Sequence, residues 1–487
     1  MTNRLKKINV LFASAEIAPF AKVGGLGDVA SALPTALKRE FAEELDIRSI
    51  MPFHSVVKTF NPARKKIGDF SFKTNGKELN CELFISEIEG VPIYLIDNEE
   101  INHNSPVYNG DWELDGLKYA SFSLALLEAA RFLGWKFDIL HANDWHTALA
   151  VYALKTKYKK DPFFKDVKTI LSIHNLPYNG WGSQNAMTSL GFTASLDKDL
   201  PDWARFVPLP LGLSAADKII AVSPGYAREI LTPEFGCGME SYLQKHKDKL
   251  LGILNGLDEN EWDPSLDTQI SHQFSVATLS DRKQNKLDLQ KALKFKVDES
   301  IPLLTVVSRL TPQKGIHNIL EVLPELLDKE WQFVLLGTGS DELEEKAKEL
   351  SRKYPKRIAS ILKYDDAIAR MLYASGDIFL MPSEYEPCGL SQMIAMRYGN
   401  LPLATETGGL ADSIIDYSNH PEQATGFLYQ EKNSEGLKKS LTFALKTYQD
   451  KEVWQKMQLN AMKADFSWPS SALLYMQNYK TLHKDIL

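Results

Sequence analysis

Short runs of Val, Ile and Leu alternate along this chain with longer amphipathic stretches, and the alternation stops once and then restarts. Parallel strands covered by helices on both faces read this way, because such strands are buried on both sides and need a long connection back to the same edge. The first series comprises INVLFAS from Ile8, IRSIMPF from Ile47, VPIYLID from Val91, FDILHAND from Phe137, TILSIHN from Thr169 and KIIAVS from Lys218. The second comprises LLTVVSRL, WQFVLLGTG, RIASILK, DIFLMPS and LPLATET. The expected fold class is α/β, with two Rossmann-like, doubly wound domains facing a cleft. The expected boundaries place the first domain at 1–254 and a polar linker, punctuated by Gly256 and Pro264, at 255–267. The second domain follows at 268–465, and a last helical pattern occupies 466–487.

Composition removes several classes of function. With 63 acidic and 56 basic residues the net charge is −7, which does not suit a surface that neutralises nucleic-acid phosphates or anionic lipid. An anionic ligand must then be held by locally placed cations. Cys81, Cys237 and Cys388 are too dispersed for a disulfide framework or a four-ligand zinc site. The basic residues ahead of Ile8 precede only a short apolar run, which reads as a strand rather than a leader. Cytoplasm is the expected compartment, with a plastid as the alternative for a chain already cleaved of a transit peptide.

In open parallel sheets, ligands bind beyond the carboxyl ends of the strands, so the residues at those ends are the place to look for chemistry. After the first strand comes AKVGGLGDVA, where Gly24, Gly25 and Gly27 permit close backbone approach and Lys22 adds a cation, a pattern that suits phosphate. A tight turn that packs helix on strand is the competing reading. SRLTPQKG places Arg309 and Lys314 in one strand-to-helix loop, where they can neutralise a diphosphate or form a solvated surface pair. In HANDWHTALA, His146 stands near a helix start, suited to a sugar hydroxyl or to packing, while His141 and Trp145 read as structural. In MPSEYEPCGLSQMIAMRYG, Glu386 precedes Pro387 and suits sugar hydroxyls or an oxocarbenium-like centre, while Cys388 reads as packing. The acidic triplet Asp197–Lys198–Asp199 follows no strand and has no ligand cluster around it, so no metal and no cofactor is expected.

Taken together, KVGGLGDV, HANDWHTAL, SIHNLPYNG, AVSPGYAREI, GILNGLDENEWDP, NKLDLQ, SRLTPQKG, EPCGLSQMIAMRYG, TGGLADSI and FSWPSSALLY span nearly the whole chain. In this order they resemble the bacterial glycogen synthases and plant-type starch synthases. The resemblance implies the GT-B architecture, with an acceptor-side first domain, a nucleotide-sugar-binding second domain and C-terminal helices crossing back onto the first. It implies glucose transfer from ADP-glucose to the non-reducing end of an α-1,4-glucan or maltooligosaccharide, with retained configuration and no nucleic-acid or membrane partner. By motif, Lys22, Gly24, Gly25 and Gly27 meet the donor phosphates, and Arg309 and Lys314 stabilise the leaving diphosphate. His146 and Glu386 meet the glucose, Gly389, Leu390, Gly408 and Gly409 complete the donor pocket, and Asp115 falls near a family aspartate that faces the sugar.

Four positions depart from the family pattern: Val23 replaces a common Thr, Lys118–Tyr119 replaces Arg-Phe, and Glu384 replaces a cation. Two alternatives fit the same motifs. One is another retaining GT-B enzyme with a small acceptor, and the other is a non-catalytic protein that binds glucan or initiates granules.

Overall fold

The computed structural model describes residues 7–60, 63–101 and 106–484. The chain divides into two compact units, Met1–Gly256 with Trp468–Leu487, and Leu257–Ser467. Among the described residues no helix is long and apolar enough to cross a membrane.

The first unit is built on strands β1 (Ile8–Ala13), β2 (Leu45–Pro52), β3 (Lys65–Thr74), β4 (Lys77–Ile88), β5 (Val91–Asn98), β6 (Ile139–Asn143), β7 (Lys168–Ile173), β8 (Lys218–Ala221) and β9 (Leu250–Gly252). Their spatial order is β3-β4-β5-β2-β1-β6-β7-β8-β9, parallel from β5 to β9. The β3–β4 hairpin pairs antiparallel onto β5. It is absent from the strands expected from sequence because its residues alternate between exposed and buried, and a search for apolar runs passes over such strands. Its turn is nevertheless written in the sequence: Asn75 and Gly76 take φ of 47° and 78°, the left-handed pair that an Asn-Gly hairpin turn requires.

The second unit holds β10 (Leu303–Val307), β11 (Gln332–Leu336), β12 (Ile358–Ile361), β13 (Ile378–Met381), β14 (Leu401–Thr405) and β15 (Phe427–Tyr429). All are parallel in the order β12-β11-β10-β13-β14-β15, the doubly wound arrangement expected for this half. The short strand β15 adds an edge to those read from sequence. The chain reverses direction across the sheet between β10 and β13, and that is where the loops after these strands collect.

Helix Trp468–Lys484 returns to the first unit and buries Trp468, Ala472, Tyr475, Met476 and Tyr479 in its core. A Cβ on Gly256 would lie 2.6 Å from the Trp468 ring, so only glycine fits there. Ser471 donates to the carbonyl of Leu254 at 2.6 Å, and the Tyr479 hydroxyl meets His141 Nδ1 at 2.7 Å. His141 is thereby structural, as expected, and burial pulls its pKa down to about 3. Within the stretch 255–267, Asp267 is buried in the second unit, where Tyr398 donates to it at 2.6 Å and Arg370 at 3.2 Å.

Candidate active site

In the first unit, β1 and β6 run side by side with Ala13 opposite Ala142, and Asn143 Nδ2 donates to the carbonyl of Ala13 at 2.9 Å. The loops following these strands are therefore neighbours. After β1, Glu16 is buried and its Oε2 accepts from the backbone N–H of Val23 at 2.5 Å and of Gly24 at 3.0 Å. The Gly24 N–H, part of the loop read as a phosphate site from sequence, is thus engaged by a carboxylate together with that of Val23. Helix Gly25–Glu40 starts directly afterwards with no side-chain cap, and in its first turn Gly27 N donates to the Gly24 carbonyl at 3.3 Å. Lys22 pairs with Asp28 in that turn at 2.7 Å, and burial raises the Asp28 pKa against the pull of Lys22.

The glycines separate into two kinds. A Cβ on Gly27 would lie 3.2 Å from the Ala21 carbonyl and 3.3 Å from Glu16 Oε2, so packing accounts for it. A Cβ on Gly24 or Gly25 would meet nothing within 4 Å, so nothing in the fold demands glycine there. Bare backbone facing open space is what close approach of a ligand requires. Val23 beside them is exposed.

After β6, Asp144 opens helix Asp144–Lys155 with φ of 53°, a strained value for a residue with a side chain. Its buried carboxylate accepts from the N–H groups of His174 at 2.7 Å and Asn175 at 3.3 Å, and burial raises its pKa to about 7. This anchored corner delivers His146, which is 6% exposed and whose Nδ1 has no hydrogen-bond partner among the described residues. Burial, reinforced by nearby His54 and Lys118, pushes the His146 pKa well below its ordinary value, so the ring is a neutral hydrogen-bonding group.

Asp115 is engaged by neighbours within the first unit. Its carboxylate accepts from Asn109 N at 2.9 Å and Asn109 Nδ2 at 2.8 Å and pairs with Lys118 at 3.2 Å. Lys118 in turn donates to the carbonyls of Pro106 and Val107, and the Tyr119 hydroxyl donates to Val107 at 2.6 Å. The family-variant Lys118–Tyr119 pair and Asp115 thus hold one loop, whose Tyr108 ring centroid lies 5.2 Å from that of His146. The Tyr108 hydroxyl donates to Glu16 Oε1 and so links the glycine loop to the histidine. Sequence reading missed both Tyr108 and Glu16. For Glu16 a signal existed, an acid just after a buried strand with no cation beside it; for Tyr108 none did.

In the second unit, the loop after β10 carries Arg309, exposed and paired with no acidic side chain among the described residues. Gly315 (φ 63°) ends this loop, where a Cβ would lie 1.9 Å from the Pro382 carbonyl oxygen. The loops after β10 and β13 are locked together at that point, and Glu384 N donates to the Gln313 carbonyl at 2.9 Å. The contact brings Lys314 onto Glu386, whose Oε2 also accepts from Ser383 Oγ at 3.3 Å. Glu384 itself is exposed.

Leu390 caps helix Ser391–Arg397 and follows Gly389, which has φ of 74°. Helix Gly408–Ser413 starts after β14, and a Cβ on Gly409 would lie 2.1 Å from the Cys388 carbonyl oxygen. Gly409 also donates its N–H to the Glu386 carbonyl at 3.0 Å, so the acid and both helix starts form one assembly. Cys388 is buried in it. Asp199 is occupied by Lys245 and His246, and among the described residues no three His, Cys, Asp or Glu side chains cluster as metal ligands.

Residues 9–245 match the family model described as starch synthase catalytic domain, and residues 290–461 match glycosyl transferases group 1. The chain is 39% identical to the glycogen synthase of Clostridium perfringens, over 98% of this chain and 99% of that protein. It is 40% identical to the glycogen synthase of Lactococcus lactis, over 98% and 100%. The catalytic domain of starch synthase IV from Arabidopsis thaliana, solved with ADP and acarbose, superposes with a TM-score of 0.87 at 31% identity, covering 98% of this chain and all of that one. Sucrose-phosphate synthase from Thermosynechococcus elongatus shares the fold, with a TM-score of 0.62 at 17% identity.

Proposed function

Because the chain belongs to the glycogen and starch synthase family of glycosyltransferases, we propose that it extends an α-1,4-glucan with glucose taken from ADP-glucose, with the anomeric configuration retained. The observation that carries this reading is the buried, neutral His146. Its Nδ1 lacks a partner among the described residues, and its ring is linked through Tyr108 and Glu16 to a glycine loop that faces open space. A buried polar atom without a partner costs free energy unless a ligand supplies one, and a neutral imidazole suits a sugar hydroxyl.

Lys22 and the Gly25 end of its helix hold donor phosphate, while Arg309 and Lys314 take up charge as the diphosphate leaves. Glu386 accepts from glucose hydroxyls, and the helix starts at Leu390 and Gly408 complete the donor pocket. The bond from glucose C1 to the phosphate oxygen breaks with its electron pair on phosphate. The acceptor hydroxyl bonds to C1 from the same face, and its proton passes to the departing phosphate oxygen. In this reading the two side-chain cations take the role a divalent metal plays elsewhere, and the reaction belongs in the cytoplasm.

The test is a radiolabelled transfer assay with ADP-glucose and UDP-glucose in parallel, using glycogen and maltotriose as acceptors. Lengthened maltooligosaccharides are expected from ADP-glucose. Label found only on a small non-glucan acceptor, or glucan binding without any transfer, would overturn the proposal.

A further inference from the structure

The motif SIHNLPYNG runs into Trp181, and the chemistry above leaves that residue unused. Trp181 stands between Gly180 and Gly182, with φ of 85° and 95°. A Cβ on Gly180 would lie 2.7 Å from the Trp145 ring and 2.7 Å from Pro208, and one on Gly182 would lie 2.9 Å from Trp112 Cβ. The loop is therefore built tight against Trp145 and Trp112, and the Trp181 N–H is tied to Asn179 Oδ1 at 2.9 Å. Its own indole nevertheless remains 56% exposed, and Trp112 is 48% exposed.

Aromatic contacts link His146 to Trp145 and Trp145 to Trp112. Centroid separations are 4.5 Å from His146 to Trp145 and 6.2 Å from Trp145 to Trp112, and Trp181 lies 6.1 Å from Trp203. Gly182 joins the two pairs by packing on Trp112. A fold gains by burying indoles, and here two left-handed glycines are used to display one.

We propose that Trp112, Trp181 and Trp203 form a stacking platform for the growing α-1,4-glucan, holding glucose units remote from the one that reacts. The proposal rests on the function assigned above and deepens it by naming what grips the acceptor chain. A glucan is uncharged, and the C–H faces of its pyranose rings pack on the electron-rich faces of indoles. A platform continuous with His146 suits a polymer whose end must reach that residue.

The experiment uses the full chain with Trp181→Ala, Trp112→Ala and the aromatic replacement Trp181→Tyr. Kinetics are measured on maltose and maltohexaose, beside a fluorescence titration with maltohexaose. In Trp181→Ala and Trp112→Ala the KM for maltohexaose should rise roughly five- to tenfold, with the KM values for maltose and ADP-glucose retained. Trp181→Tyr should restore most of the loss, which a merely structural role would not. An unchanged maltohexaose KM in both alanine variants, in protein that still makes glucan, would overturn the platform. A chain that transfers no glucose, yet shows fluorescence quenching by maltohexaose that depends on Trp181, would keep the platform and remove the catalytic reading. Absence of any quenching would remove the platform.

Discussion

Lys314 donates to the carboxylate of Glu386, so the cation assigned to the leaving diphosphate and the acid assigned to glucose form one largely buried pair in the second unit. Neither side chain is placed independently of the other. The pair exists because Gly315 lets the loop after β10 touch the carbonyl of Pro382.

This coupling governs how the two residues respond to mutation. Lys314→Gln and Glu386→Gln should each lower kcat by roughly 10²-fold, the usual loss when a transition-state donor or its support is removed. The double variant should cost little more than the worse single one, because residues in one contact are not additive. Steady-state kinetics on the three proteins decide this; losses that multiply would show the two act separately.

The two kinds of glycine in KVGGLG should behave in opposite ways. Gly25→Ala has open space around its new methyl group and should shift stability by no more than about 0.5 kcal/mol, while raising the KM for donor. Gly27→Ala meets backbone at 3.2 Å and should lower the melting temperature. Thermal unfolding together with donor kinetics separates the two effects. A stable Gly25→Ala enzyme with an ordinary donor KM would remove this residue from the phosphate site.

Asp115 is expected to act on structure first. Asp115→Ala leaves Lys118 buried without its carboxylate, a loss of about 3–5 kcal/mol when a buried pair is broken from one side. Asp115→Asn keeps hydrogen-bonding capacity toward Asn109 and should recover part of that stability. Denaturant unfolding reads this directly, and a fully stable but inactive Asp115→Ala protein would point to direct sugar contact instead.

Acid should destabilise the first unit from pH 6.5 downward through its buried histidines. Burial pulls His54 and His141 down to about 3 and His174 to about 4, against 6.5 for an unperturbed histidine. Below pH 6.5 the unfolded chain therefore takes up protons that the native chain refuses, and stability falls until the folded pKa values are reached. Asp144 works the other way between 3.8 and about 7, because there the native carboxyl binds a proton and the unfolded one does not. His146 is lowered like these three and Asp28 is raised like Asp144; four histidines outweigh two carboxyls, so the net slope favours the native state at higher pH. Urea midpoints across this window test it, and a midpoint that rises on acidification would contradict it. His141→Asn should flatten the slope.

The two series of buried strands, the fold class and the loops at the strand ends were legible because burial on both faces leaves a continuous apolar run, and glycines and cations mark the loops that follow. The β3–β4 hairpin was not, since half-exposed strands alternate and carry Lys, Asp and Glu. For Asp115 the motif shows that an acid is present, whereas its partners Asn109 and Lys118 are visible only in the structure.

Local residue type and spacing, then, determined the strand order along the chain and the family whose chemistry it carries, because hydrophobic periodicity and loop composition act over a few residues. Only the tertiary structure decided that Glu16 occupies two N–H groups of the glycine loop, that Tyr108 reaches both Glu16 and His146, and that Trp181 is turned outward. Each of these depends on atoms far apart in the chain meeting within a few ångströms, and such meetings arise from how the elements pack rather than from any neighbouring pattern of residues.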